Sequence, residues 1–213
     1  RGRVKFDLYR FQERIVNEFG SHRFNLMRKF RQAGATTICA AYALWYIIFH
    51  HDKNVMVVSI GDRESRDFLD RAVSMYDDLP NWLKPQEVER NKHVIKLSTG
   101  SKIKSQPAGA GRGESVSLLI VDEAAFIDKR TELAIYPTIS TGGSAFILST
   151  VNGMANLYYD LYHDAELGKN NFNTISIHWR EHPEYTEEWA AETRSNVGER
   201  AWLQEYEGEF LGT

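Results

Sequence analysis

Continuous apolar runs separated by helix-period segments set the pattern of this chain. Phe24–Phe30 is a short apolar run with a basic end, and Val55–Ile60, Ser117–Val121 and Ser144–Thr150 are nearly uninterrupted hydrophobic stretches. All four read as strands buried on both faces. Thr36–His50 is Ala-rich and apolar and reads as a buried helix, whereas Ser65–Leu79 shows helical spacing through Phe68, Leu69, Ala72, Val73 and Tyr76. Val94–Leu97 and Ile103–Ser105, joined by Ser98-Thr-Gly-Ser101, predict a hairpin. Helices are expected at Thr131–Tyr136 and, after an Asn152-Gly153 turn, at Asn156–Glu166. A last strand is expected at Phe172–Trp179, with helical structure beyond it. Buried strands alternating with helices imply an α/β fold with a mainly parallel sheet flanked by helices. Ligands then belong at the carboxyl ends of the strands.

Composition narrows the class. The 213 residues are 42% hydrophobic and 26% charged, enough apolar material for a core and too much for a disordered chain. Cys39 is the only cysteine, so no internal disulfide forms. The longest apolar stretch, Ile38–Phe49, is too short to span a bilayer. The chain opens on Arg-Gly-Arg without a methionine and reads as a piece of something longer. The net charge of −3 excludes a simple DNA-coating protein, but it conceals an asymmetry. Residues 1–31 carry nine Lys/Arg against Asp7, Glu13 and Glu18, and residues 181–213 carry nine Glu against Arg194 and Arg200. The acidic tail reads as a solvated face. The basic head reads equally as a solvated face or a polyanion site.

Three predicted strand ends carry polar chemistry. Arg31-Gln-Ala-Gly-Ala-Thr-Thr37 is a small-residue turn between a strand and a helix, where backbone amides can approach an anion and the helix N-terminus favours negative charge. Thr36 stands where a P-loop places its Mg²⁺-binding hydroxyl, although such turns also serve as plain N-caps. Leu118-Leu-Ile-Val-Asp-Glu123 ends a buried strand in two carboxylates, one suited to a metal and one to a water; a strand can also end so on reaching solvent. Ile147-Leu-Ser-Thr-Val-Asn-Gly153 ends another strand in two hydroxyls, which could read a phosphate or simply cap the strand. His178, His182 and Glu184 match no strong metal template and read as surface residues.

In their order and spacing, Phe11-Gln12, the Arg31–Thr37 turn, Leu118–Glu123 and Ser149-Thr-Val-Asn-Gly153 resemble the large terminase subunits of tailed bacteriophages, most strongly the T4-like branch. Asp78-Leu-Pro-Asn-Trp-Leu-Lys-Pro85 and the closing Glu205–Gly212 extend the resemblance over nearly the whole chain. It implies an additional-strand, RecA-like P-loop ATPase fold, with a core over residues 1–180 and a helical segment over 181–213 leading to a nuclease domain that this chain lacks. It implies ATP and Mg²⁺ as cofactors and double-stranded DNA as the translocated substrate. The implied partners are a portal protein, a small terminase subunit and other copies in a ring, in the host cytoplasm and without a membrane.

By position, the resemblance gives Phe11 and Gln12 an adenine contact. It gives the phosphate loop to Arg31, Gln32, Ala33, Gly34, Ala35, Thr36 and Thr37, and Mg²⁺ to Thr36 and Asp122. Glu123 becomes the catalytic carboxylate, and Ser149, Thr150 and Asn152 the coupling motif. Arg112, in a glycine-rich loop, corresponds to an arginine acting on a neighbour's ATP, with Arg66 and Arg130 as alternatives; an exposed loop holds such an arginine equally well for no catalytic reason. One position departs from the pattern: the loop lysine is replaced by Ala35. Losing one preorganised donor at a phosphoryl-transfer centre costs about 3–4 kcal/mol. The expectation is an impaired ATPase with an engineered loss at Ala35, or else a natural variant in which Arg31, Lys29 or Arg28 substitutes. Other readings are another DNA-dependent P-loop ATPase or helicase, and a silent nucleotide-binding assembly module.

Overall fold

The computed structural model describes residues 5–108, 115–128 and 142–212. The expected helix at Thr131–Tyr136, and Arg112 and Arg130, lie outside the described residues.

Eight strands form one sheet in the order β3-β4-β5-β2-β6-β7-β1-β8. The strands are β1 (Phe24–Arg28), β2 (Asn54–Ser59), β3 (Glu87–Arg90), β4 (Val94–Leu97), β5 (Lys102–Pro107), β6 (Leu118–Asp122), β7 (Ser144–Ser149) and β8 (Asn173–Ser176). From β5 to β8 every pairing is parallel. The pairs β3–β4 and β4–β5 are antiparallel, so the expected hairpin is an edge appendage on a parallel sheet. β6 and the interior of β7 are buried throughout, as strands covered on both faces must be.

The helices are α1 (Arg10–Ser21), α2 (Ala35–Phe49), α3 (Asp62–Asp78), α4 (Leu157–Glu166), α5 (Glu187–Val197) and α6 (Glu199–Glu205). One face of the sheet packs α1, α2 and α3 around Phe19, Ile38, Leu44, Phe68, Leu118 and Phe146, and here the rings of Phe19 and Phe146 stack with centroids 3.9 Å apart. The other face holds a smaller cluster in which Tyr158 and Tyr162 of α4 cover Leu26, Leu119 and Ile147. Trp179, Ala190, Trp202 and Tyr206 join the first cluster, so the segment from 181 onward packs into the same core as the sheet.

Three elements differ from the sequence reading. α1 and β3 were not anticipated. α1 carries its apolar residues Phe11, Ile15 and Phe19 at helical spacing among many charges, and β3 is a mostly exposed edge strand. The strand expected at Phe172–Trp179 stops at Ser176, and a 3₁₀ turn takes Trp179–Glu181.

Candidate active site

β6, β7 and β1 are neighbours, and their carboxyl ends meet at the N-terminus of α2. Asp122 pairs with Leu148 and Arg28 with Ser149 in the strand register, so the polar residues beyond β1, β6 and β7 converge. The phosphate-loop turn leaves β1 after Arg28, and Lys29 extends the ladder by donating its amide to the Ser149 carbonyl at 3.0 Å.

The loop is wound tightly enough to require positive φ at Gln32 (66°) and Gly34 (75°). A Cβ at position 34 would stand 3.0 Å from the Gln12 amide nitrogen, so glycine is needed there for space as well as conformation. Gln12 is buried, accepts from the Tyr9 amide at 3.1 Å and donates to the Ala33 carbonyl at 3.3 Å. Gln12 therefore braces the Arg31–Thr37 loop. Phe11 is buried against Tyr9, Phe30 and His182. The first amides of α2, from Ala35 through Thr37, have no intrahelical partner, the arrangement that suits an anion. Ala35 itself is 2% exposed, its methyl group packed into the core. Thr37 accepts a 3.4 Å hydrogen bond from Arg71.

Thr36 donates its hydroxyl to the Asp122 carboxylate at 2.8 Å. Burial pushes the Asp122 carboxyl up, Lys29 pulls it down, and Glu123 pushes it up again. A serine or threonine hydroxyl beside a buried carboxylate is a set of hard oxygen donors that fits Mg²⁺. Glu123 follows in the left-handed region, φ 56°, which turns its side chain back over the loop. There it meets the Lys29 ammonium at 2.6 Å. Lys29 is only 6% exposed, so this cation reaches the site from the end of β1 along the protein interior.

Ser149, Thr150 and Asn152, expected to form the coupling motif, lie near the same site. Ser149 lies 3.5 Å from Glu123 and accepts from the Ala125 amide at 3.1 Å. Asn152 donates to the Ala125 carbonyl at 3.3 Å. Glu205 lies 3.7 Å from the Arg31 guanidinium, and the nearby Thr150 side chain helps to lower its carboxyl. The Glu205 carbonyl accepts from the Arg31 amide at 2.8 Å. Burial raises the Glu205 carboxyl, with Arg31 opposing.

The basic head and acidic tail thus meet. Arg14 pairs with Glu181 at 2.5 Å, Arg28 donates to the Gly208 carbonyl at 3.2 Å, and Arg31 pairs with Glu205. The tail is not a plain solvated face. Glu207 accepts from His178 at 2.6 Å and from the indoles of Trp179 and Trp202, both at 3.1 Å. Burial pushes Glu207 up, but these three donors outweigh it and hold the carboxyl below its usual range. His182 is buried rather than on the surface: its ring stacks on Tyr185 with centroids 4.1 Å apart and meets the edge of Tyr9. Sequence reasoning missed Glu205, because its pairing across the chain to Arg31 leaves no local signal.

A family description, "Terminase large subunit, T4likevirus-type, N-terminal", matches residues 27–213. The chain belongs to this family. Its structure is similar to that of the Thermus phage P74-26 large terminase ATPase domain, with TM-score 0.81 and 19% identity over 97% of this chain and 95% of that one. It is similar to the large terminase of a thermophilic bacteriophage in complex with ATP-gamma-S, with TM-score 0.75 and 10% identity over 96% and 53%. The HK97 bacteriophage large terminase gives TM-score 0.71 and 17% identity over 99% and 46%. The chain spans about half the length of these last two proteins. The fold is that of the terminase P-loop ATPase domains, as expected. Among the described residues no helix is long and apolar enough to cross a membrane.

Proposed function

We propose that this terminase domain binds ATP at the β1–α2 loop and hydrolyses it to drive double-stranded DNA into a procapsid. The single observation that carries the reading is the convergence of Thr36, Asp122, Glu123 and Lys29 around an amide-lined helix N-terminus. The triphosphate lies against the α2 amides. Thr36 and Asp122 would hold Mg²⁺, which would supply charge neutralisation to the phosphates. Glu123 orients a water for in-line attack on the γ-phosphorus and takes its proton. A phosphorus–oxygen bond forms to the water oxygen, and the bond to the β-phosphate oxygen breaks. Phe11 and Gln12 support the loop on the adenine side. Arg112 acts from a neighbouring copy.

Lys29 supplies the cation that the loop position 35 lacks. Its ammonium is at the site already, whereas Ala35 is packed in the core. In the nucleotide-free chain Glu123 is occupied by Lys29. Incoming phosphates compete for the ammonium and release the carboxylate to the water. In this reading turnover is not impaired by Ala35, which is the second of the two sequence alternatives, with Lys29 as the substitute. Ser149, Thr150 and Asn152 carry the change toward Glu205 and the segment after it. The full motor joins copies in a ring on a portal protein, with a small terminase subunit, in the host cytoplasm.

The test is phosphate release and fluorescent ATP-analogue binding for the unaltered chain and for Glu123→Gln. Mg²⁺-dependent release that Glu123→Gln abolishes, with binding retained, supports the reading. Binding without release in the unaltered chain would instead make it a silent nucleotide-binding module.

A further inference from the structure

We propose that the apolar groove between α1 and α2 receives Trp82 from a second copy of the chain, joining copies head to tail. The groove has a volume of about 590 Å³, and its walls include Phe6, Val16, Ala41, Tyr42 and Trp45. That is room for an indole, in the size range of pockets that bury an aromatic ligand. Trp82 is 83% exposed, far more than any other large hydrophobic side chain among the described residues.

Its loop is braced. The Leu83 amide donates to the Pro80 carbonyl at 2.9 Å, the Tyr76 hydroxyl to the Pro85 carbonyl at 2.6 Å, and the Lys84 ammonium to the Asp77 carbonyl at 2.8 Å. These bonds hold the loop backbone, and a tryptophan, with only two side-chain torsions, loses little freedom on docking and is a common interface anchor.

Topology keeps the knob out of its own groove. α2 packs against both α1 and α3, and α1 packs on β1 toward one side of the sheet. The loop carrying Trp82 follows α3 and leads into β3, the outermost strand on the other side. Knob and groove thus lie on opposite flanks of the helical layer. A contact between unlike surfaces is heterologous, and repeated it closes a ring or grows a filament. The inference deepens the self-association proposed above and rests on that reading for closure into a ring. Neither surface includes the phosphate site, so ATP-analogue binding by the single chain reports on the ATPase reading separately.

The test combines crosslinking and sedimentation. A photoreactive benzoylphenylalanine replaces Trp82, and crosslinks are mapped at concentrations up to about 1 mM, the weak end of the affinity range. Crosslinks to α1 and α2 of another copy are expected. Trp82→Ala and Ala41→Lys should each weaken self-association about 30-fold, the effect of losing a strong anchor. Each variant keeps one intact surface, so an equal mixture should give dimers and nothing larger. Trp82→Ala alters only an exposed side chain and keeps the test valid even if Ala41→Lys misfolds. Absence of crosslinks, crosslinks mapping elsewhere, or wild-type sedimentation of Trp82→Ala would overturn the proposal. So would crosslinking only to added DNA or portal protein.

Discussion

The ammonium of Lys29 lies 2.6 Å from the carboxylate of Glu123, joining the end of β1 to the end of β6 across the intervening strand β7. Lys29 is almost wholly buried and Glu123 is partly open, so the pair points one charge inward and one toward the phosphate loop.

If Lys29 supplies the missing cation, Lys29→Ala lowers kcat by about 100-fold or more, the loss typical of one preorganised donor. Ala35→Lys alone then changes turnover little, and in the Lys29→Ala background it restores part of it. A rise of hundreds-fold from Ala35→Lys alone would show instead that position 35 is the lesion. Steady-state phosphate release checks both.

Asp122 has its carboxyl raised by burial. A raised carboxylate pKa means that the ionised form works against folding at neutral pH, so Asp122→Asn raises the stability of the chain without nucleotide. Asparagine keeps one oxygen for the two donors that meet Asp122, the Thr36 hydroxyl and the Glu123 amide, and the Thr36 hydroxyl can turn to accept from its NH2 group. The same change removes Mg²⁺-dependent ATP turnover. Thermal melts and phosphate release on one preparation would measure the two opposite effects together.

Gly34→Ala forces a side chain into positive φ and toward Gln12. It costs about 1–3 kcal/mol of stability and weakens ATP-analogue binding, because the loop amides move. A companion Gly168→Ala, also at positive φ but with open space around it, separates backbone strain from crowding in denaturant melts.

Acid should loosen the 178–207 region first. Glu207 is held below its usual 4.5, so its contribution is present above that value and is lost as pH falls through the lower folded value. Burial holds His182 below its usual 6.5, so the folded chain disfavours its charged form. Its penalty sets in as pH falls below 6.5 and is complete once the folded value is passed. Tryptophan fluorescence reports this directly, since Trp179 and Trp202 both donate to Glu207. Glu207→Gln should flatten the part of the pH dependence below 4.5 and leave the part nearer 6.5.

Strongly periodic segments were readable from sequence, and long-range pairing was not. β2, β6 and β7 declared themselves because a strand covered on both faces must be apolar at successive positions. α1 was harder, since its three buried apolar residues are scattered among Arg10, Glu13, Arg14 and Glu18. β3 reads Glu-Val-Glu-Arg, a charged edge with nothing to mark it as a strand. Thr36, Asp122 and Glu123 were legible because each lies beside a buried element of obvious type. Lys29 was one of three candidate substitutes with Arg31 and Arg28; which of them reaches Glu123, and the pairing of Glu205, depend on which strand ends meet, and that follows from sheet order.

The rooting of Lys29 has a mechanical meaning. A lysine in the loop would move whenever the loop opened around a nucleotide. Lys29 instead continues the β1 ladder through its bond to Ser149, between β7 and β8 in the body of the sheet. Its charge is a stationary landmark. With the cation rooted there, any movement of the loop residues that follow, Arg31 first among them, would be a displacement relative to a charge whose backbone is anchored in the sheet.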